Sequence, residues 1–306
     1  MIEFECRCAM GKHRAPLEGY EISAGALNKI PEILKDYNKI YVVADENTYR
    51  AAGKQVEEIL KACGKHHRTL VLDGEVVLPN VETLGKIVLF ANDPGAKPNF
   101  FAYSELPDFI LAVGSGTVND SCRLASFRLH LPYGIVATAP SMDGYASKGA
   151  ALILGGMKVT LNAHVPTWIV GDVDILKDAP MDMIRAGYGD IIGKFSCLND
   201  WKLAHLLRGE YFCDFVFDTV MESVKAVEDK AEALLARDPE AVRCLMEALV
   251  NVGVMMSYVG NSRPASGSEH HLSHYFEITG IIEGREYLPH GIDVLYSTYV
   301  TALVRE

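Results

Sequence analysis

Residues 108–120 read DFILAVGSGTVND, and this stretch decides the fold class. The apolar run at 108–113 predicts a strand buried on both faces, which is typical of a parallel sheet covered by helices. The turn Gly114-Ser115-Gly116 lets backbone N–H groups approach a pyrophosphate, and a helix starting near Thr117 would add its positive end. The spacing is not the Gly-x-Gly-x-x-Gly fingerprint. A glycine turn without a ligand therefore explains these residues equally well at this point.

Strand-like and helix-like segments alternate on both sides of this stretch. Asn47-Thr48 is the predicted cap of the first helix, and residues 152–173 contain two extended pieces. Such alternation predicts a Rossmann-like parallel sheet, whose ligands bind beyond the carboxyl ends of the strands. The further predicted strands are 39–44, 67–72 and 132–138, and the predicted helices are 48–62, with a break between 53 and 56, and 81–92.

The second half of the chain has helical periodicity and few strand signals. A chain of 306 residues is also long for one hydrophobic core. We therefore predict an α/β domain at residues 1–176 and an all-α helical domain at residues 177–306. The predicted helical segments are 179–204, 212–236 and 239–258.

The composition excludes several classes of partner. The formal net charge of -11 repels nucleic acid and anionic membrane surfaces, so no nucleic-acid partner is expected. No segment approaches the roughly 20 apolar residues of a membrane span, and the N-terminus lacks a signal-peptide pattern. Seven scattered cysteines are typical of reduced thiols, which predicts a cytoplasmic protein.

Cys6, Cys8 and His13 lie close together in CRCAMGKH and offer zinc-binding atoms. A closed zinc site needs a fourth ligand, which the sequence does not identify. Loose thiols near the terminus are therefore the favoured interpretation.

The loop at residues 138–147, TAPSMDGYAS, follows a predicted strand and contains hydroxyls, a carboxylate and a glycine. Polar groups in that place suit a ribose, an amide or a polyol, although an ordinary capped loop has the same composition.

Four of the ten histidines lie between residues 270 and 290. On a helix, His270 and His274 share one face, a spacing typical of metal sites. His290 is predicted at a turn or helix start, and Asp190 at a helix opening, most simply as an N-cap or first-turn acid. Together, Asp190, His270 and His290 would form a site with room for a water or a substrate oxygen.

The chain contains four motifs in a fixed order: GSGTVND at 114–120, TAPSMDGYAS at 138–147, GDIIGK at 189–194 and SGSEHHLSH at 266–274. Together they resemble the motifs of sn-glycerol-1-phosphate dehydrogenase, specifically its bacterial AraM-like branch. That branch is similar to glycerol dehydrogenases, iron-containing alcohol dehydrogenases and dehydroquinate synthase. The resemblance runs from about Glu21 to the last residues, and VADENT at 43–48 also fits it.

The resemblance implies roles for individual residues. Asp190, His270 and His290 would bind one divalent ion, zinc or nickel. We prefer His270 to His271, because His270, His274 and Glu277 match the His-x-x-x-His-x-x-Glu spacing of dehydroquinate synthase. Asp143, Asp190 and His274 would contact the substrate, with His274 and Asp190 catalytic. The implied cofactor-binding residues are Asp45, at the adenosine ribose, and Gly114, Gly116, Thr117, Val118, Asn119, Asp120, Thr138, Ala139, Pro140, Ser141 and Ser147.

The implied activity is reduction of dihydroxyacetone phosphate to sn-glycerol 1-phosphate with NAD(H) or NADP(H), in phospholipid biosynthesis. The helical domain would bind the metal and substrate, and the protein would be a homo-oligomer, a dimer or larger. A glycerol (polyol) dehydrogenase would use the same metal and cofactor. Dehydroquinate synthase normally has a glutamate where Asp190 stands, which disfavours that activity.

The chain ends at Glu306, sixteen residues after His290, whereas AraM-like proteins usually continue with more helices. A family member with a shortened C-terminus and impaired catalysis is therefore a further alternative. The residues that hold the substrate phosphate are not identified, and Lys148, Lys158 and Lys194 are candidates by charge alone.

Overall fold

The computed structural model describes residues 1–74, 76–92, 106–285 and 288–306. Its centre is a sheet of six described strands, in which all neighbours are parallel. The predicted Rossmann-like parallel sheet is therefore confirmed. In spatial order the strands are β3 (Gly19–Ser23), β10 (Trp168–Asp172), β7 (Tyr133–Ala137), β6 (Phe109–Gly114), β4 (Lys39–Asp45) and β5 (His66–Leu72).

Alternate residues of β4 are buried on opposite faces of the sheet. Ile40 and Val42 pack into one apolar cluster, and Tyr41 and Val43 pack into another. This is the arrangement expected of a strand covered on both sides, and it explains why β4 and β6 are continuous apolar runs. The helices of this half are α1 (Ile30–Ile33), α2 (Glu46–Thr48), α3 (Lys54–Ala62), α4 (Val81–Asn92) and α5 (Gly116–Leu129).

The helical segment after β4 differs from the prediction at its start. Asp45, rather than Asn47-Thr48, is the N-cap, because its carboxylate accepts from the backbone N–H groups of Asn47 and Thr48. The predicted break between residues 53 and 56 is also wrong, since a π turn at Tyr49–Gly53 joins α2 to α3.

The second half is helical, as predicted, but two predicted helices are interrupted. The predicted helix at 179–204 divides at Gly193, and the one at 212–236 divides between Lys225 and Ala231. Asp190 lies in the last turn of its helix, so the prediction of a helix-opening acid is wrong. The helices are α6 (Val173–Leu176), α7 (Met181–Ile192), α8 (Lys194–Arg208), α9 (Asp214–Lys225), α10 (Ala231–Leu235), α11 (Pro239–Val259), α12 (Ser268–Glu283) and α13 (His290–Arg305).

Helix α11 is long and apolar enough to cross a membrane by length and composition alone. However, 72% of its most apolar window is buried inside the protein. Val250 of α11 and Ile135 of β7 belong to the same apolar cluster, so α11 is the central helix of a core shared with the sheet.

Two antiparallel hairpins lie outside the central sheet. The first joins β1 (Ile2–Glu5) to β2 (Lys12–Ala15), and the second joins β8 (Gly149–Leu154) to β9 (Met157–Asn162). The second hairpin follows the loop at 138–147 and forms one wall of the cavity described below.

Candidate active site

A cavity of about 680 Å³ lies at the carboxyl ends of the central strands. The ends of β6 and β7 are adjacent because Gly114 is paired with Ala137. This pairing brings the two polar loops that follow these strands to one place, as parallel-sheet geometry requires. The predicted site residues that line the cavity are Gly116, Thr117, Asp120, Ser141, Asp143, Ser147, His270, His274 and His290.

The turn between β6 and α5 has the form of an anion cradle. Ser115 is the N-cap of α5 but makes no side-chain capping bond, so the first-turn N–H groups have no side-chain cap. A Cβ on Gly114 would lie 2.7 Å from Cβ of Val118, whereas one on Gly116 would meet only Met142, at 3.8 Å. Free N–H groups at a 14-residue helix fit the pyrophosphate of a dinucleotide.

The other predicted cofactor residues surround this turn. Asp45 ends β4, the neighbour of β6, and uses its carboxylate to cap α2. Asn119 is fully buried in α5, and Val118 packs in the core. Thr138 lies next to Gly114, because its backbone N–H donates to the Gly114 carbonyl at 3.0 Å. Ala139 and Pro140 are buried in the same loop.

Arg123 was missed by the sequence analysis, although it organises the loop at 138–147. Its fully buried guanidinium donates to Asp120 Oδ1 at 2.7 Å and to the carbonyls of Gly144 and Tyr145 at 2.6 and 3.0 Å. Asp120 also accepts from the Ala151 N–H at 3.0 Å. Arg123 follows Asp120 by three residues in a largely buried stretch of α5, and this spacing was the available signal.

Asp190, His270 and His290, here called the cleft cluster, come together from α7, α12 and α13. Nε2 of His270 lies 3.8 Å from Oδ1 of Asp190, and the ring centroids of His270 and His290 are 5.2 Å apart. Glycines make this approach feasible: a Cβ on Gly291 would lie 1.8 Å from the Ala186 carbonyl oxygen, and one on Gly189 would lie 2.4 Å from that of Gly291.

Buried carboxylates orient both imidazoles of the cleft cluster. Nδ1 of His270 lies 2.8 Å from Oε1 of Glu269, and Nδ1 of His290 lies 2.9 Å from Oε1 of Glu277. A proton held on Nδ1 leaves Nε2 free to bind a metal. Metal-bound histidines usually donate their other ring N–H to a carboxylate in this way. Neither glutamate was assigned this role from the sequence, although each lies near a histidine.

The protonation states in the cleft cluster also suit a metal ion, whose ligands must be deprotonated. Burial lowers the pKa of His270, which favours the neutral imidazole. Burial opposes ionisation of Asp190, but cationic neighbours, above all the ammonium of Lys194, outweigh it and lower its pKa to about 2. The donor set therefore fits a divalent ion.

Lys194 is enclosed beside the cleft cluster and is not free to bind a phosphate. Its fully buried ammonium lies 2.7 Å from Oδ1 of Asp190, 2.6 Å from Oδ2 of Asp143 and 3.0 Å from the Ala265 carbonyl oxygen. These three contacts use its three donors. Lys148 and Lys158 both line the cavity.

His274 lines the cavity one helical turn after His270, and none of the described residues hydrogen-bonds its ring. Burial, together with the charge of Lys158, lowers its pKa to about 4, so the ring is neutral at pH 7. His274, Glu277 and His290 could also surround one ion. Glu277 is bound to Lys158 at 2.6 Å and to Nδ1 of His290. Asp190 is bound in a similar way, because it accepts from Lys194 at 2.7 Å and from the Asp143 N–H at 2.9 Å.

The fold and the cleft define a class of protein. The family model for iron-containing alcohol dehydrogenases matches residues 21–180. The structure is similar to that of glycerol dehydrogenase from Schizosaccharomyces pombe, with a TM-score of 0.76, 20% identity, and coverage of 95% of this chain and 71% of that one. A probable glycerol dehydrogenase from Sinorhizobium meliloti 1021 has a TM-score of 0.72 at 18% identity, covering 92% of this chain and 75% of that one.

Curated relatives identify the family within this class. A protein of Halalkalibacterium halodurans named glycerol-1-phosphate dehydrogenase [NAD(P)+] is 35% identical over 299 residues, 97% of this chain and 73% of the relative. A Pyrococcus furiosus protein of the same name is 36% identical over 239 residues, 78% of this chain and 64% of the relative. The chain therefore belongs to the glycerol-1-phosphate dehydrogenase family, which confirms the resemblance.

Proposed function

We propose that the protein reduces dihydroxyacetone phosphate to sn-glycerol 1-phosphate with NAD(H) or NADP(H) and one divalent metal ion. The names of its relatives support this reaction. The observation that carries the proposal is that one cavity is lined both by the Gly116 turn and by His270 and His290. A dinucleotide and a metal-bound substrate would therefore share one enclosed space.

In this proposal Asp190, His270 and His290 hold the ion, and the α/β half holds the dinucleotide. One carboxylate and two imidazoles accept zinc or nickel, and three protein ligands leave a position for the substrate. When bound, the nicotinamide supplies the hydride and the ion supplies a Lewis acid for the ketone oxygen.

The cofactor is held by the residues predicted from the sequence, with Asp45 at the adenosine ribose. The backbone of Gly116 and Thr117 receives the pyrophosphate, because the α5 N-terminus is uncapped and its N–H groups favour anions. Arg123 fixes the loop that contains Ser141 and Ser147. The remaining proposed contacts are Gly114, Val118, Asn119, Asp120, Thr138, Ala139 and Pro140.

The substrate lies between Asp143, Asp190 and His274. Asp143 lines the cavity and forms an ion pair with Lys194, so its carboxylate is held in place to receive a substrate hydroxyl. The neutral ring of His274 can donate a proton from one nitrogen to the former ketone oxygen and take a proton from water at the other, which balances the transfer.

The substrate phosphate would lie against Lys148 and the β8–β9 hairpin. Lys148 is exposed at the cavity and has no ion-pair partner in the described parts of the chain. Lys158 is partly neutralised by Glu277. The net charge of the protein is negative, so such a local cation is needed to hold a phosphate.

The experiment is an absorbance assay of the metal-reconstituted protein with NADH, using dihydroxyacetone phosphate and, in parallel, unphosphorylated dihydroxyacetone. We expect NADH consumption with the phosphorylated ketone only. Equal or faster turnover of the unphosphorylated ketone would replace the proposal with a polyol dehydrogenase. No turnover of either, despite bound metal, would indicate a catalytically impaired family member.

We also propose that residues 1–176 form the dinucleotide-binding domain and residues 177–306 the metal- and substrate-binding domain, in a cytoplasmic homo-oligomer. All seven cysteines are described and none forms a disulfide, which supports a reducing compartment. Light scattering of the purified protein tests the oligomer, and a monomer would contradict it.

A further inference from the structure

Four potential metal ligands that do not line the cavity meet at the N-terminal hairpin. Cys6, Cys8 and His13 belong to the β1–β2 hairpin, and Cys213 immediately precedes α9. One ligand atom from each of the four lies within 4.8 Å of all the others. Cys6, Cys8, His13 and Cys213 are called the hairpin cluster below. Cys213 is the fourth ligand that the sequence did not identify.

The distances within the hairpin cluster match the edges of a tetrahedron around zinc. Sγ of Cys6 lies 3.6 Å from Sγ of Cys213, and Nε2 of His13 lies 3.4 Å from Sγ of Cys8 and 3.4 Å from Sγ of Cys213. Usual zinc bond lengths give edges of about 3.8 Å between two sulfurs and about 3.5 Å between sulfur and nitrogen. These three distances are therefore close to those around a bound zinc ion, and the other pairs of ligand atoms lie within 4.8 Å of each other.

The surroundings prepare His13 and Cys8 as ligands. His13 is fully buried, and its Nδ1 lies 3.2 Å from the carbonyl oxygen of Tyr258. A proton donated from Nδ1 to that carbonyl leaves Nε2 unprotonated and facing the sulfurs. The hydroxyl of Tyr211 lies 3.2 Å from Sγ of Cys8 and can donate to a thiolate there.

The backbone of the hairpin forms a tight turn that brings the side chains of Cys6 and Cys8 together. The N–H of Cys6 donates to the Gly11 carbonyl at 3.0 Å, and the N–H of Gly11 donates to the Cys8 carbonyl at 2.9 Å. Gly11 has a φ of +69°, which a side-chain-bearing residue rarely adopts. The turn is thus built around the ligands.

We propose that the hairpin cluster is a structural zinc site that fastens the N-terminal hairpin to the helical half. Three thiolates and one imidazole fill all four positions of a tetrahedral ion, which distinguishes a structural site from a catalytic one. The hairpin lies before residues 21–180, the part matched by the family model, and is not part of the central sheet. Packing also attaches the hairpin to α9, because the ring of Phe4 stacks on the ring of Phe215 with 4.0 Å between the ring centroids.

Cobalt tests the proposal because a cobalt–thiolate bond gives a near-ultraviolet charge-transfer band that oxygen and nitrogen ligands do not give. Two reduced, metal-stripped full-length proteins are titrated with Co²⁺: the wild type and His270→Ala. The variant lacks a ligand of the cleft cluster, so a thiolate band that it retains comes from another site. We expect the thiolate band in both proteins. Its absence from wild type would overturn the proposal, as would a Cys6–Cys213 disulfide that survives reductant.

The matched variants are Cys213→Ser and Cys63→Ser. Cys63 lies at the end of α3, and among the residues that the structure describes its thiol donates only to the Leu60 carbonyl. We expect Cys213→Ser to bind Co²⁺ more weakly and with a weaker band, because two of the three thiolates remain, and to melt at a lower temperature that zinc raises less. Cys63→Ser should behave as wild type. If Cys213→Ser does not fold, the titrations of wild type and His270→Ala still decide the question. A band of wild-type intensity and affinity in folded Cys213→Ser would overturn the four-ligand site.

Discussion

The cleft cluster and the hairpin cluster differ in ligand type, in number and in surroundings. The cleft cluster has one carboxylate and two imidazoles, and it borders a cavity of about 680 Å³. The hairpin cluster has three thiols and one imidazole. Three hard or intermediate ligands leave a coordination position for a substrate, and four ligands rich in sulfur do not. In the two proposals, ligand chemistry alone separates the catalytic site from the site of attachment.

The two clusters also orient histidine differently. In the cleft cluster, Glu269 and Glu277 accept from the imidazoles, whereas in the hairpin cluster the backbone carbonyl of Tyr258 faces His13. A carboxylate raises the basicity of the ligand and adds charge, whereas a carbonyl mainly fixes the ring. The predictions below test whether this division of roles holds.

The largest effect is expected from His270→Ala, which removes a ligand of the cleft cluster. Loss of Lewis-acid catalysis worth several kcal/mol should reduce turnover about 1,000-fold or more. The matched control is His271→Ala, because His271 is the exposed neighbour on the same helix. Steady-state rates and bound metal should both fall in the first variant only. A fully active, metal-free His270→Ala would remove the distinction between the clusters.

A large stability effect is expected from Lys194→Met. The substitution leaves the carboxylates of Asp143 and Asp190 close together without their ammonium partner. Breaking a buried ion pair on one side costs about 3–5 kcal/mol. Urea unfolding of the metal-free protein should show this loss, and added metal should restore part of it by replacing the cation.

The matched control for this variant is Lys225→Met on the exposed surface of α9. Surface substitutions of this kind usually change stability by less than about 0.5 kcal/mol. A Lys194→Met protein as stable as Lys225→Met would show that the buried ammonium is not needed to hold the empty cleft cluster together.

A smaller effect is expected from Glu269→Gln, which weakens the acceptor of His270. Loss of such an outer carboxylate typically lowers metal affinity about 10- to 100-fold. Glu283→Gln, at the exposed end of the same helix, is the control. Competition with a metal indicator measures the affinity. Equal affinities in the two variants would contradict the orienting role of Glu269.

The sequence was sufficient for β4, β5, β6 and β7, because each of these strands carries its own signal, whereas β3 (Gly19–Ser23) was not predicted. The apolar runs locate β4 and β6, and the glycines after β6 mark the carboxyl ends of the strands, where we propose that the dinucleotide binds. It was also sufficient for His270 and His274, whose spacing is local. Contacts between residues that are distant in the sequence gave no such signal. Arg123, for example, reaches the carbonyls of Gly144 and Tyr145 only after folding.

Cys213 shows the same limit more clearly. It lies 200 residues from His13, and nothing in its neighbours distinguishes it from the other cysteines. Asp190 was misplaced for a related reason: the glycines near it were interpreted as a helix opening. They instead allow α7 and α13 to approach each other closely, because a Cβ on Gly189 would collide with the Gly291 carbonyl.

The smallest expected effect is that of Tyr211→Phe, the counterpart of Glu269→Gln in the hairpin cluster. This variant rests on the zinc proposal and removes one hydroxyl from Sγ of Cys8. The bound ion shares the charge of the Cys8 thiolate, so this hydrogen bond should contribute about 1 kcal/mol, and affinity for cobalt at this cluster should fall about fivefold while turnover stays unchanged. Tyr188→Phe is the control, because its hydroxyl donates to the Glu228 carbonyl at 2.8 Å and touches neither cluster. A loss of turnover in Tyr211→Phe would mean that the two clusters are coupled, and their division into a catalytic and a structural site would then be wrong.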